Sequence, residues 1–415
     1  MNSTGKTSMP LAPRELASRF DISELTPGFY EDPYPVYRAL REHEPVKRMR
    51  NGTYFLTRYE DIVAVYKNTA TFSSDKKTEF KPKYGDSPLF DHHTTSLVFN
   101  DPPLHTRVRR LIAGALSPRA ILDLEPALVR LVDGLLDRMD ARGEVDLIDD
   151  FAAAIPIEVI GNLLAVPIED REPLREWSLA ILGALEPVPS ATVLDRGNKA
   201  VEEFLAYLRV LVARRREHPG NPDKDVLTRL IQGESSGEKL TAPELLHNCI
   251  FLLNAGHETT TNLIGNGLVA LSQHPDQKRK LIADASLTKT AIEEILRFES
   301  SNQLGNRITT EAVTVGDVHM PPGTQVTICI GAANRDPAQF PDPDRLDVAR
   351  APNRHLAFGS GIHQCAGMAL ARLEGAVAIS RFLGRFPGFA LSGSPQRGGR
   401  ARFRGFLHVP CSLRG

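Results

Sequence analysis

Phe358-Gly359-Ser360-Gly361-Ile362-His363-Gln364-Cys365-Ala366-Gly367 is the most informative run in this 415-residue chain. Two glycines in three residues permit a tight turn at dihedrals that other residues avoid. The cysteine follows at once, ahead of a helical pattern running from about Ala366 to Leu383. A thiol in that place faces the free N–H groups and positive dipole end of a helix. Both favour thiolate, the form that binds metal. Gly367 leaves room for a flat ligand to lie close against the helix start. Cys249, Cys329 and Cys411 have no such loop and read as buried, inert residues. No Cys-x-x-Cys pair is present, so neither a zinc ribbon nor a dithiol redox site is encoded locally.

Upstream of this loop the pattern is helical to about residue 300. Leu124, Leu128, Leu131 and Leu135 form an apolar stripe at helical spacing, and Val201, Leu205, Leu208 and Val212 form another. The second stripe ends in Arg214-Arg215-Arg216, cations suited to a solvated helix C-terminus. The longest candidate helix runs from Pro243 to about Ser272, with Thr241 and Glu244 at capping-box spacing and His274-Pro275 at its end. After residue 305 come a hairpin at Val313–Met320, an alternating strand at Val326–Ile330 and a Pro-rich extended stretch at Asp336–Pro352. Glu217–Asp225 and Gly233–Lys239 read as loops between helices rather than domain boundaries. The first 20 residues read as a loose tail, leaving residues 21–415 as one domain, mainly α with small β-sheets.

Composition narrows the function. Lys plus Arg number 50 and Asp plus Glu 51, so the net charge of −1 gives no global attraction to nucleic acid or anionic membrane. The longest apolar run, Phe151 to Ile157, is far short of the roughly 20 residues a membrane span needs. The N-terminal sequence lacks an apolar leader segment, which leads us to expect a cytoplasmic protein.

In the long helix, Ala255-Gly256-His257-Glu258-Thr259-Thr260 interrupts an apolar run. Glycine in a helix interior costs about 1 kcal/mol relative to alanine, and a buried acid costs more unless partnered. Threonine hydroxyls bond the carbonyl four residues back and open the helix locally. His257-Glu258 begins like the zinc-protease motif His-Glu-x-x-His, but Thr261 occupies the fifth position, so that site fails.

The cysteine run resembles the haem-binding signature of the cytochrome P450 family, the haem-thiolate monooxygenases. The resemblance implies that fold, a triangular helical prism enclosing haem b, with Cys365 as axial ligand of the iron and Phe358 beside it. It implies that Ala255 and Gly256 lie against the porphyrin, that Thr259 hydrogen-bonds the activated oxygen and that Glu258 relays protons. His257 is expected to face away in a structural role. His105 and Arg109, after Asp101-Pro102-Pro103, match the family's propionate-binding His-x-x-x-Arg, and Arg307 and His363 match further propionate partners. Glu294 and Arg297 match the family's buried Glu-x-x-Arg pair, expected to be completed by Arg345. Leu346 stands where many relatives carry Phe. His92-His93 reads as a solvated pair in a loop.

The resemblance covers roughly Asp32 to Pro410 and implies insertion of one atom of dioxygen into a small lipophilic substrate. Only 50 residues follow Cys365, so electrons are expected from separate proteins, a ferredoxin and its reductase. Arg110, Arg119, Arg354 and Arg372 are candidates for the docking face. A non-catalytic binding protein would be expected to lose the cysteine or the Thr259 region, and both are present. A peroxide-driven enzyme would be expected to change the acid–threonine pair, which is intact. By the same resemblance the pocket is built from the loop at Lys83–Phe99, including Phe90 and Val98, with Leu252, the stretch after Arg297 and Phe406. Asn302 or Gln303 is expected to hydrogen-bond the substrate.

Overall fold

The helix Ala242–Gln273, 32 residues long, is the axis around which the other helices pack. Its start is the capping box read from the sequence: Thr241 accepts from the Glu244 N–H while the Glu244 carboxylate accepts from the Thr241 N–H. Nearly every residue from Thr260 to Leu271 is buried, so this is a core helix rather than a surface one. The helices Ala154–Leu163, Leu174–Gly183 and Met368–Arg385 all pack against it. The computed structural model describes residues 11–222, 225–232 and 240–414. Gly233–Lys239 lies outside these residues, and Glu217–Asp225 spans the turn between two helices where it is described.

The two helical stripes fall in Pro118–Asp140 and Ala191–Glu217, with Leu128, Leu135, Val201 and Leu208 buried. The β portion is a five-stranded sheet in the order Val46–Arg48, Tyr54–Leu56, Gln325–Cys329, Leu304–Thr309, Phe72–Ser73. Only Tyr54–Leu56 and Gln325–Cys329 run parallel. The hairpin Val313–Val315/Val318–Met320 turns at Gly316, whose φ of +56° suits glycine. One expectation is corrected. The tail is not loose as far as residue 20: Pro13–Arg19 is a helix, started by Pro13 and packed through the fully buried Ala17 on Tyr34–His43. Residues 1–10 lie outside the described part.

Glu294 and Arg297 are both fully buried on the helix Thr288–Phe298 and are joined by two hydrogen bonds of 2.7 and 2.8 Å. The third cation is Arg350, not Arg345. Arg350 Nε donates to both Glu294 oxygens at 3.1 and 3.2 Å, whereas Arg345 contributes only its carbonyl, which accepts from Arg297. The turn at Asp342–Arg345 presents backbone rather than side chain to the pair. Asn353 Nδ2 and the Asp347 N–H complete the shell around Glu294. A buried carboxylate needs this much partnering, because its desolvation costs several kcal/mol. Arg297→Leu is therefore expected to destabilise the protein by about 3–5 kcal/mol, read as a lower urea midpoint; a midpoint within experimental error of the wild type would refute the role given to the pair.

Candidate active site

The cysteine loop is built by its glycines. Gly359 and Gly361 have φ of +66° and +71°, and a Cβ on Gly361 would sit 2.5 Å from the Tyr66 carbonyl oxygen. The loop closes through the Cys365 N–H, which donates to Phe358 O at 2.9 Å. Phe358 lies under the Arg372 guanidinium, 4.7 Å from the ring centroid, and Arg372 is fixed in turn by two hydrogen bonds to Glu293. Arg372 is thus tied into the loop's support with its side chain still partly exposed, and Arg110, Arg119 and Arg354 are surface-exposed.

Cys365 is solvent-accessible only in the sense that its thiol opens into a cavity of about 350 Å³. Burial pushes the thiol above its ordinary value, outweighing the Gly367 N–H, Arg109 and Arg372, which pull the other way. The thiolate-favouring features read from the sequence are therefore present but insufficient by themselves. A cation bonded to the sulfur would complete the balance.

One edge of the cavity is a rim of donors. His105 and His363 pack with ring centroids 4.1 Å apart and planes inclined at 51°, and neither ring nitrogen of His105 nor Nε2 of His363 has a side-chain hydrogen bond. Burial, followed by Arg307, His105, Arg109 and Lys76, pushes His363 down to about 2. His105 is likewise lowered, by burial and then Arg109. Arg109 donates to Gln364 O at 2.6 Å, and the buried Arg307 stacks over Tyr66. This concentration of positive charge and unused donors suits two carboxylates, and the apolar walls beyond it suit a flat hydrophobic ring. With Cys365 as a soft anionic ligand, the residues fit haem.

Across the cavity stands the long helix. Ala255, Gly256 and Thr259 all line the space, and Thr259 Oγ1 donates to Ala255 O at 2.7 Å. Glu258 is buried on the other side of the helix, paired with Arg400 at 2.5 Å. Burial raises its carboxyl above the usual range, more than Arg400 lowers it. A second, small cavity holds Glu258, Arg400, Asn262 and the buried His257, whose ring nitrogens are unpartnered.

Several pocket expectations are corrected. Val98, Leu252 and Asn302 line the cavity, but Phe90, Gln303 and Phe406 do not. Phe90 packs beneath Lys81, 5.1 Å from its ring centroid. Gln303 is fully buried, with Nε2 donating to Ser300 O at 2.7 Å and its side chain pressed against Gly331. Phe406 begins the strand Phe406–His408 and faces the small cavity; Phe403 and Arg402 take the place expected of it. The region Lys83–Phe99 is mostly helical, with Pro88–Thr95 capped by Ser87 Oγ. His92 and His93 are consequently buried in the cavity wall rather than solvated. Asn254, with both ends of its amide unpartnered, also borders the cavity and was missed. A polar amide directly after the apolar run Cys249–Leu253 is the signal that could have found it.

Three comparisons bear on this geometry. Residues 178–396, more than half of the chain, match the family model described as Cytochrome P450. Over 389 residues the chain is 39% identical to cytochrome P450 107B1 of Saccharopolyspora erythraea, covering 90% of this chain and 93% of that protein. It is 38% identical over 369 residues to vitamin D(3) 25-hydroxylase of Pseudonocardia autotrophica, covering 88% and 89%. Among solved structures, P450BioI in complex with hexadec-9Z-enoic acid-ligated acyl carrier protein superposes with a TM-score of 0.87 at 35% identity, covering 93% of this chain and 99% of that one.

Acid should loosen the loop's support in a defined window. Burial pushes the Glu293 carboxyl up, but hydrogen bonds and charges from His355 and Arg372 outweigh it and hold it at about 2, against 4.5 ordinarily. A depressed carboxylate stabilises the fold above its unfolded value, and that stability is lost as pH falls from 4.5 towards 2. Urea denaturation across this window should show a steeper loss for the wild type than for Glu293→Gln; parallel curves would contradict the assignment.

Proposed function

The chain belongs to the cytochrome P450 family, and from that premise we propose that Cys365 holds the iron of haem b while His105, Arg109, Arg307 and His363 bind its propionates. The activity is that of a monooxygenase: one atom of dioxygen enters a lipophilic small molecule, and the electrons come from a redox partner. The observation that carries the site assignment is the placement of Cys365 and Thr259 on walls of one cavity whose rim holds the unpartnered imidazoles of His105 and His363 beside the guanidiniums of Arg109 and Arg307.

Haem, when bound, supplies the binding and cleavage of dioxygen. The chain supplies position and protons. Gly359 and Gly361 present the Cys365 sulfur from a loop too tight for side chains, and Gly367 keeps the helix start clear. Ala255 and Gly256 leave space beside the helix. Thr259 spends its own proton on Ala255 O, which leaves its oxygen lone pairs to act as acceptors towards the cavity it lines. Glu258, with its carboxyl raised by burial, holds a proton more readily than an exposed acid, and Arg400 orients it. That proton would pass around the helix to the Thr259 side through water. The apolar walls, with Leu252, Val98 and Phe403, exclude bulk water from the reacting carbon.

Relatives named as a vitamin D(3) 25-hydroxylase and a cyclomarin C epoxidase support hydroxylation or epoxidation of such a molecule. We propose a separate ferredoxin and ferredoxin reductase as electron donors, with Arg110, Arg119 and Arg354 on the docking face, and a cytoplasmic location. Among the described residues no helix is long and apolar enough to cross a membrane.

The reduced protein with carbon monoxide should give the long-wavelength Soret band of thiolate-ligated haem, and Cys365→Ala should abolish it. A normal-wavelength band in the wild type would refute the ligand assignment. Thr259→Ala should keep the band but lower the fraction of electrons ending in product by about tenfold or more, with the remainder released as hydrogen peroxide. Unchanged coupling would remove Thr259 from the proton path.

A further inference from the structure

The cavity has a second concentration of positive charge, away from the rim that suits the propionates. Arg402 lies on the wall, held by Leu185 O at 3.1 Å, Leu304 O at 2.8 Å and Asn306 Oδ1. All three are neutral acceptors. Among the described residues the guanidinium forms no ion pair, although Arg307, Arg109, Lys76 and Arg402 all border the same space. A guanidinium has five N–H donors, and these three bonds leave two unused. A cation bordering an apolar cavity with only neutral partners is costly unless an anion joins it.

The surroundings exclude the nearby carboxylates as that anion. Glu79 is already paired with Lys76 Nζ at 2.9 Å. Glu186 is committed to the backbone N–H groups of Ala401 and Arg402. Glu258 is paired with Arg400. The haem propionates, as proposed above, would be held at the other centre. The charges acting on His363 are Arg307, His105, Arg109 and Lys76, whereas Arg402 acts on Lys83 and on His93 of the helix Pro88–Thr95. The Lys76–Glu79 pair lies between the two centres, feels both Arg307 and Arg402, and is internally neutral. Burial and then Arg402 push Lys83 down to about 7, against the opposing pull of Glu79 and Glu186.

We propose that Arg402 receives the carboxylate of an organic-acid substrate whose apolar body lies along the cavity wall, so that this residue selects acids over neutral molecules. The proposal rests on the monooxygenase reading above and deepens it to a substrate class. Leu97, Phe99, Leu182, Phe251 and Leu304 line the space that would hold the apolar part. With the acid group anchored at Arg402, carbon remote from the carboxylate is offered for oxidation.

The test uses the holoenzyme and three matched probes: hexadecanoic acid, its methyl ester and 1-hexadecanol. Affinity is read by the low-to-high-spin shift and, independently, by equilibrium dialysis. The acid should bind about tenfold or more tighter than the ester or alcohol, the scale of a hydrogen bond to a charged group. Arg402→Gln, which keeps a donor for the carbonyls but removes the charge, should erase that preference and leave ester affinity unchanged. Arg402→Lys should restore part of it. Equal binding of acid and ester by the wild type would overturn the proposal. So would Arg402→Gln that keeps the acid preference, or that loses haem instead, which would make Arg402 a propionate partner. The carbon monoxide band of each variant reports separately on the haem-thiolate reading.

Discussion

The carboxylate of Glu294 is the point from which the cysteine loop is suspended. It has no exposed surface, so every lone pair must find a donor within the protein. Arg297 comes from its own helix, but Arg350, Asn353 and the Asp347 N–H come from the long irregular stretch that leads into the loop. Arg297 in turn reaches the carbonyls of Asn334, Pro343 and Arg345. The Asn334 side chain accepts from the Leu356 N–H, two residues before Phe358. A segment with little regular structure is thus ordered by one buried charge cluster. The position of the Cys365 loop, which is closed by its own Cys365 N–H to Phe358 O bond, depends on that order.

Burial works against charge throughout the site. It raises the thiol of Cys365 and the carboxyl of Glu258 and lowers His105 and His363. Each group is then met by a specific partner or left with unused hydrogen-bonding capacity directed at a ligand. At the rim the unused capacity suits carboxylates on a flat apolar group. At Arg402 it suits a second anion. Glu258 differs in having its counter-ion supplied by the chain, on the face of the helix turned from the cavity. The long helix therefore puts Glu258 and Thr259, adjacent in sequence, on two different cavities.

Much of this was legible in the sequence, because local signals and tertiary demands coincide. The glycine pair and Cys365 lie in one short run, and the capping box at Thr241 and the His274-Pro275 stop bound the long helix within a residue or two. The failures have a common cause in side-chain direction. Arg345 and Arg350 both flank Glu294, but only the turn at Asp342 decides that one presents its carbonyl and the other its guanidinium. Gln303 and Asn302 are neighbours, and adjacent residues of an extended segment point to opposite sides. Phe406 was displaced by Phe403 for a similar reason, since the pairing with Gln396–Arg397 turns it away. His92 and His93 looked solvated because a polar Ser-Pro start hides a helix whose burial comes only from packing on other helices. The helix Pro13–Arg19 has few apolar residues and is held by one buried alanine, a signal too small for periodicity to register.

The central claim is that Cys365 sulfur is the protein's bond to haem iron. X-ray absorption at the iron edge of the ferric holoprotein measures that bond most directly. The account predicts one sulfur scatterer at bonding distance beside the four porphyrin nitrogens, lost in Cys365→Ser without loss of the fold. A first shell of nitrogen and oxygen alone in the wild type would contradict it.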